Sequence, residues 1–336
     1  MKRFIDDNGI FEIKIPSTWK YSLQNEKIHT FQEYEIWKHD AFQLSIRKIN
    51  NENEKNNILQ ITESLTKTTI GNLEYYCFPD TGDKDFSTKT WIRLFNDRIV
   101  TFTLTHQNNP DKDLDNKSVE EKINIAKSAI TEFRLIDETK SKEEIDSYRF
   151  DMFLQGVGAS SLILSKAVEN KAFIEATCII ASQIDALLRI GIILKTQIIK
   201  GNGEIEKEWI YQGLSDKIKS EKNIYKKSLE LDIIDQVIFD DLYKLYDDRN
   251  RVIHRFIISE ITLAEVEDIA YKYYTKAEKL NKIIYDLESK QIELNVGMTT
   301  TENGGETINH LDYIKGKIGK QNYFDTKVDK QNNANR

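Results

Sequence analysis

The residues best suited to chemistry lie in one short segment, RNRVIH at residues 249–254, where four residues separate an arginine from a histidine. Histidine has an ordinary pKa of about 6.5, so at neutral pH it can take a proton from a ribose 2′-hydroxyl or return one to a leaving 5′-oxygen. Arginine stays cationic, and its planar guanidinium fits the oxygens of a phosphate group. Arg249, Asn250 and His254 are therefore candidate catalytic residues for cleaving a phosphodiester.

The spacing of these residues suits a helix. A separation of four residues puts Asn250 and His254 on one helical face, with Arg249 at the flank of the same face. Arg251 and Arg255 extend the polar run and are supporting candidates. Two copies of the helix across a symmetric dimer would supply one imidazole as base and one as acid. We expect a 2′,3′-cyclic phosphate product and no requirement for a metal ion.

A structural role for the same residues remains the alternative. Arg249 would then pair with Asp247 or Asp248 at the surface, and His254 would fill a polar slot between helices. So many polar groups are costly to bury without a purpose, which favours the catalytic interpretation.

A helical region must position this segment. From residue 143 to about 292 the sequence contains no proline and repeats its apolar residues with a helical period. Gly201 suits the end of the second helix, while Thr262 and Glu265 match a capping box that opens the last one. The pattern predicts a bundle of four or five helices, at residues 143–169, 172–200, 233–257 and 263–288, with a less regular one near 209–220.

Residues 143 to 290 resemble the HEPN superfamily (higher eukaryotes and prokaryotes nucleotide-binding). The R-N-x-x-x-H motif and the approach IIDQVIFDDLYKLYDDRNRVIHRF are similar to the family's motif helix. The segment FIEATCIIASQIDALLRIGIIL resembles its long second helix, in which an acidic residue often precedes an arginine by four places. Here those two residues are Asp185 and Arg189.

This resemblance implies a metal-independent endoribonuclease of the defence or toxin type, as found in toxin–antitoxin, abortive-infection and antiviral CRISPR systems. It implies an RNA substrate, no cofactor, and an active site shared across a homodimer, with Arg249, Asn250 and His254 as catalytic residues. Asp185 would orient His254 or Arg249, or else form a structural pair with Arg189. A HEPN domain that dimerises or binds RNA or nucleotide without cutting is the other interpretation.

The first third of the chain has a different character. It holds all three prolines, and Asn96-Asp97 suits a tight hairpin turn. Ser118 and Glu121 match a capping box at the start of a helix. Alternating apolar and polar residues predict strands at residues 11–15, 42–47, 91–95 and 99–104, with a last strand at 133–136. We expect an α+β domain over residues 1–137, with one helix packed on an antiparallel sheet, followed by the all-α domain over residues 143–292.

This first domain resembles the PsbP-like fold through its opening GIFEIKIPSTW and its closing EEKINIAKSAITEFRLI. Members of that group mostly bind or scaffold other molecules, so the resemblance implies a recruiting role. We expect this domain to contact a regulatory or inhibitor protein.

Composition limits the classes of function and the cellular locations that the chain can have. The net charge of −7 excludes a protein that coats nucleic acid over a wide basic surface, but not a local catalytic pocket. No apolar run of membrane-spanning length occurs, and acidic residues follow the first five residues, where a signal peptide would continue with apolar ones. The two cysteines, Cys77 and Cys178, indicate buried thiols and not a disulfide framework. We expect a cytoplasmic protein without membrane contact. The sequence has no phosphate-binding glycine loop and no Cys/His cluster for a metal, and residues 296–336 predict a polar, mobile tail.

Overall fold

The computed structural model describes residues 1–33, 40–108, 117–212 and 219–299, which fall into two compact units. The first unit comprises residues 1–141, and the second begins at Lys142. Each unit has its own hydrophobic core. Residues 300–336, which make up most of the predicted mobile tail, lie outside the described residues.

The first unit is an α+β structure. Its strands are β1 (Lys2–Ile5), β2 (Phe11–Ile15), β3 (Trp19–Gln24), β4 (Ile28–Glu33), β5 (Ala41–Lys48), β6 (Thr66–Ile70), β7 (Leu73–Cys77), β8 (Thr81–Gly82), β9 (Phe86–Phe95), β10 (Arg98–Gln107) and β11 (Arg134–Leu135). Its helices are α1 (Glu52–Glu63) and α2 (Val119–Thr131). Within the described residues, one antiparallel sheet has the order β1-β2-β11, and the other has the order β3-β4-β5-β10-β9-β7-β6, with β8 paired to β9.

The core of this unit lies between the two sheets and α2. Phe11, Phe102 and Trp91 are each at most 1% exposed, and Ile130 of α2 packs with them. The predicted hairpin between β9 and β10 is confirmed, because Asn96 adopts a φ of +53° at the turn. The capping box at Ser118 is also confirmed. The predicted α+β architecture is confirmed, and the structure adds a three-stranded sheet and α1 to the predicted sheet and helix.

The second unit is helical in its described residues. Its helices are α3 (Ser141–Glu169), α4 (Phe173–Lys200), α5 (Lys207–Ile210), α6 (Glu221–Glu230), α7 (Gln236–Arg255) and α8 (Leu263–Leu294), with a 3-10 turn at Phe256–Ile258. The four long helices match the predicted ones closely, and the caps at Gly201 and Thr262 are confirmed. The helix predicted near residues 209–220 was wrong in its described part. A four-residue helix precedes that range and α6 follows it, while residues 213–218 lie outside the described residues.

Helix α4 runs through the centre of the bundle and packs along α8. Its buried face includes Ile184, Leu188 and Ile192, none of which is exposed. Gly191 allows close contact, because a Cβ there would lie 3.0 Å from Ile233 and 3.1 Å from Ile284. By length and composition α4 is the one described helix that could cross a membrane. Of its most apolar window, 61% is buried inside the bundle, where it forms the core.

Both cysteines are free thiols. They are half-buried and not fully buried as expected. Burial raises the pKa of Cys77 and of Cys178, which favours the neutral thiol over the thiolate.

Candidate active site

Helix α7 carries the three candidate catalytic residues near its C-terminal end. The Asp235 side chain caps the helix by accepting from the Ile238 amide at 2.7 Å. Leu242, Leu245 and Val252 are buried, which fixes the rotation of the helix about its own axis. The polar residues between and after them therefore take defined directions relative to the bundle.

Arg249 points into the bundle, and its side chain is only 14% exposed. Its Nη1 donates to the Glu221 carboxylate of α6, and its Nη2 donates to Oδ1 of Asn250 at 3.2 Å. The guanidinium carbon lies 4.8 Å from the centre of the Tyr246 ring. Its Nε is buried and has no hydrogen-bond partner within the described residues. The guanidinium is thus held by a carboxylate, an amide and an aromatic face.

Glu221 is the residue that the sequence did not reveal. It begins α6, directly after the Ser220 cap, and its Oε2 accepts from the Tyr225 hydroxyl at 3.2 Å. Tyr225 is 1% exposed, so this hydroxyl is presented from the core. Burial disfavours the charged form of Arg249, but the bond to Glu221 and its negative charge outweigh that effect and raise the pKa of Arg249. The ion pair therefore fixes the arginine as a cation.

Asp185 and Arg189 form the structural pair that was one of the two alternatives for Asp185. Arg189 donates to Asp185 at 2.7 Å and to the carbonyl oxygen of Trp209 at 3.2 Å. Burial raises the pKa of the Asp185 carboxyl, and the negative charge of Glu221 acts in the same direction, while Arg189 and Arg249 oppose both. Two carboxylates and two guanidiniums thus form one charge cluster among α4, α6 and α7. No hydrogen bond joins Asp185 to Arg249 or His254 within the described residues.

His254 lies in a different environment. It is exposed in the last turn of α7 and has no hydrogen-bond or ion-pair partner among the residues that the structure describes. Asn250 is half-buried one turn earlier, on the same helical face. Arg249 and His254 are five positions apart, so their side chains leave the helix about 140° from each other. The structure brings Arg249 and Asn250 into contact but does not bring the imidazole to the guanidinium.

The supporting candidates are at the surface. Arg251 is exposed and pairs with Asp248 at 3.4 Å, and Arg255 is exposed in the same last turn. The structural alternative for Arg249 was wrong about the partner, because Arg249 pairs with Glu221 and not with Asp247 or Asp248. It was also wrong about the histidine, because His254 does not fill a slot between helices.

Apolar side chains surround the exposed histidine. Ile253 is 40% exposed, and the 3-10 turn that follows α7 exposes Ile257 to 93% and Ile258 to 81%. Exposed apolar side chains that lie together can mark an interaction surface. They create an apolar surface, Ile253–Ile257–Ile258, next to His254.

Comparisons with known proteins leave the family open. No protein-family model matches the chain, and no curated protein matches it either. A crystal structure from Bacteroides thetaiotaomicron VPI-5482 shares 15% identity over 54% of this chain and 69% of its own, with a TM-score of 0.32. The solution structure of cyanobacterial PsbP (CyanoP) from Synechocystis sp. PCC 6803 shares 11% identity over 40% of this chain and 91% of its own, with a TM-score of 0.28. The CyanoP structure matches the N-terminal part weakly, and at these TM-scores neither similarity carries an argument about function.

Proposed function

We propose that the helical unit is a metal-independent endoribonuclease of the HEPN type, with Arg249, Asn250 and His254 as its catalytic residues. The observation that carries the proposal is the exposure of His254 without an intramolecular partner within the described residues. An imidazole left free at the surface, one turn from a polar amide, suits proton exchange with a bound substrate.

The proposed reaction uses two copies of the site. One imidazole takes the proton of a ribose 2′-hydroxyl, and the 2′-oxygen forms a bond to phosphorus. The bond from phosphorus to the 5′-oxygen breaks, and the leaving oxygen takes a proton from the imidazolium of the second copy. The products are a 2′,3′-cyclic phosphate and a 5′-hydroxyl. Asn250 faces the phosphate from the same side of the helix as His254, and Arg249, which points into the bundle, must turn outward for its guanidinium to offset the developing negative charge.

Arg249 keeps donors for this task despite its ion pair. Its Nη1 and Nη2 each carry two N–H groups. One on each nitrogen is used by Glu221 and by Asn250. The remaining N–H of each nitrogen is left for phosphate oxygens, in the forked arrangement that arginine offers.

A homodimer is part of the proposal. The reaction needs an acid and a base, and one chain offers a single exposed imidazole at this position. The apolar surface Ile253–Ile257–Ile258 would let a second copy pack beside His254. The proposed setting is cytoplasmic defence or toxicity, with the first unit recruiting a regulatory or inhibitor protein.

A non-catalytic scaffold is the second candidate function. The observation that favours it is the engagement of Arg249 with Glu221, since an arginine whose charge is already neutralised has less to offer a phosphate. In that case the helical unit would dimerise or bind RNA or nucleotide without cutting it, and the first unit would recruit a partner.

Incubation of the full chain with total RNA in EDTA distinguishes the nuclease from the non-catalytic scaffold. The nuclease proposal predicts fragments ending in 2′,3′-cyclic phosphate, with cleavage reduced about 10²–10⁴-fold in His254→Ala. The scaffold predicts intact RNA throughout. Toxicity on expression in cells, relieved in His254→Ala, should accompany cleavage.

Two further variants sharpen the test. Lys244→Ala is a matched control, because Lys244 is also exposed on α7 but lies away from the motif. It should cleave like the wild type. Arg249→Ala should also lose cleavage, and its folding must be checked because the arginine is part of the charge cluster. Equal cleavage in the wild type and in His254→Ala would contradict the nuclease proposal.

A further inference from the structure

A second polar surface of the helical unit is a groove between α5 and α6. Its volume is about 780 Å³. Four lysines, two glutamates, two amides and two aromatic residues line it, namely Lys207, Lys219, Lys226, Lys227, Glu208, Glu230, Gln212, Asn223, Trp209 and Tyr211. Cations thus outnumber carboxylates here, whereas the whole chain carries a net charge of −7. A local excess of positive charge in an acidic protein indicates an anionic ligand.

Two of the lysines are free to meet such a ligand. Lys219 pairs with Glu208 at 2.8 Å, and Lys227 pairs with Glu230 at 3.5 Å. Lys207 and Lys226 are exposed, and neither has a carboxylate within ion-pair distance among the described residues. The groove therefore offers two ammonium groups without a carboxylate partner, of which Lys207 lies over the Tyr211 ring, beside two neutralised ones.

The aromatic and amide groups narrow the chemical class of the ligand. Tyr211 is 40% exposed, and two cations lie over its ring, Lys207 at 5.0 Å and Arg149 at 4.9 Å from the centre. The ring therefore holds these cations beside the groove, where they can meet phosphates. The amides of Asn223 and Gln212 line the same groove and can bond to base edges. An acidic peptide would use the lysines but has no base edges for these amides.

The groove is connected to the candidate active site through α6. One side of that helix carries Glu221, which holds Arg249, and the other side carries Asn223 and Lys226 in the groove. Between them, Lys222 lies 4.5 Å from the centre of the Tyr246 ring, the same ring that Arg249 covers at 4.8 Å. A series of cations therefore extends from the groove, past the start of α6, to the Arg249 guanidinium.

We infer that this groove binds a few nucleotides of single-stranded RNA adjacent to the bond that the active site cuts. The choice of RNA rests on the proposed function. The groove supplies phosphate contacts from Lys207 and Lys226, and Tyr211 holds Lys207 beside it. Base edges are open to the amides only in an unpaired strand, so the inferred ligand is single-stranded.

Binding of an uncleavable strand tests the groove independently of cleavage. A fluorescent oligoribonucleotide in which every 2′-hydroxyl is methylated has no nucleophile, and its affinity for the full chain is measured by anisotropy at several salt concentrations. Lys207→Gln/Lys226→Gln should bind about tenfold more weakly, and the slope of log affinity against log salt should fall by about 1.4, since each lost contact to a single strand removes about 0.7.

Lys279→Gln/Lys282→Gln is the matched control. It removes the same charge from exposed positions on α8, outside the groove, and should bind like the wild type. A groove variant that binds as tightly as this control, with an unchanged slope, overturns the inference. So does competition by polyglutamate that equals competition by unlabelled RNA, because it would assign the groove to acidic proteins. Failure of the nuclease proposal gives a different result, in which RNA stays intact in the cleavage assay while the groove variants still lose binding.

Discussion

At the scale of single residues, the two central members of the motif have opposite environments. Arg249 is tied into the bundle by Glu221, Asn250 and Tyr246, while His254 is exposed and has no partner within the described residues. Removing His254 should therefore change the free energy of unfolding by less than about 0.5 kcal/mol, as for most surface substitutions. Lost activity in His254→Ala can then be assigned to chemistry, whereas the same loss in Arg249→Ala combines chemistry with folding.

Glu221→Gln is the residue-scale prediction. The change leaves the Arg249 guanidinium, whose side chain is only 14% exposed, without its counter-charge. It also replaces the charged acceptor of the Tyr225 hydroxyl with a neutral amide. We expect the free energy of unfolding of the helical unit to fall by about 1–3 kcal/mol, less than for a fully buried pair because water reaches both side chains. Urea unfolding of the full chain, followed by far-ultraviolet circular dichroism, measures it.

The control for this prediction lies on the same helix. Glu230 lies at the other end of α6 and also forms an ion pair, with Lys227. Its side chain, however, is 65% exposed. Glu230→Gln should therefore change stability little, because an exposed pair is screened by water. Equal destabilisation by the two variants would mean that the contact of Glu221 with Arg249 contributes nothing specific.

The sequence revealed only part of the site. The motif on α7 follows from local spacing, and the pairing of Asp185 with Arg189 follows from their separation of four on one helix. The contact between Glu221 and Arg249 spans 28 residues and exists only because the bundle packs α6 against α7. Spacing along the chain has no information about such a pair, so the inward direction of Arg249 could not be foreseen.

At the scale of elements, the long amphipathic helices were predictable and the short charged ones were not. Helices α4 and α8 repeat their apolar residues over many turns, and a strong period of that kind predicts a helix well. Helix α6 has only ten residues. Its buried positions are just Ile224, Tyr225 and Ser228, too few for the period to be recognised. The groove that α6 lines was hidden for the same reason.

Glu12 of the small sheet gives the element-scale prediction. It lies on β2, is 8% exposed, and binds Arg3 of β1 at 2.9 Å and Arg134 of β11, so one carboxylate joins three strands. Burial alone would raise its pKa, but the two arginines outweigh burial and lower the pKa of Glu12. A lowered folded pKa means that this stabilisation is present above the ordinary value of 4.5 and is lost as the pH falls through the folded pKa.

Glu12→Gln should therefore destabilise the small sheet most at neutral pH, and the difference from the wild type should shrink as the pH falls below 4.5. Hydrogen–deuterium exchange of peptides from β1 and β2, compared at each pH, measures this. Glu74→Gln is the matched control, because Glu74 pairs with Lys67 at 3.8 Å with both side chains more than half exposed. A difference for Glu12→Gln that stays constant with pH would contradict a charge-based role.

At the scale of the whole molecule, the charge of the groove differs from that of the chain. The chain carries −7 overall, yet the groove beside α6 has an excess of lysines, and the last turn of α7 adds His254 and Arg255. The cation of Arg255 at that turn also stabilises the negative end of the helix dipole, so its placement serves folding as well. The helical unit is itself acidic, so under the proposed function a lysine excess confined to one groove would let the protein select a short single strand without binding nucleic acid indiscriminately.

The last prediction concerns assembly. Side chains as exposed as Ile257 at 93% and Ile258 at 81% leave apolar area in water, and covering it with a second copy would bring two imidazoles to one boundary. Ile257→Glu/Ile258→Glu should therefore shift the protein from dimer to monomer in sedimentation velocity and abolish cleavage, while the fold stays intact. Val237→Glu is the control, since Val237 is 68% exposed at the opposite end of α7 and should leave the dimer unchanged. A wild-type protein that sediments as a monomer and still cleaves RNA would rule out the shared site, because one chain would then supply both acid and base.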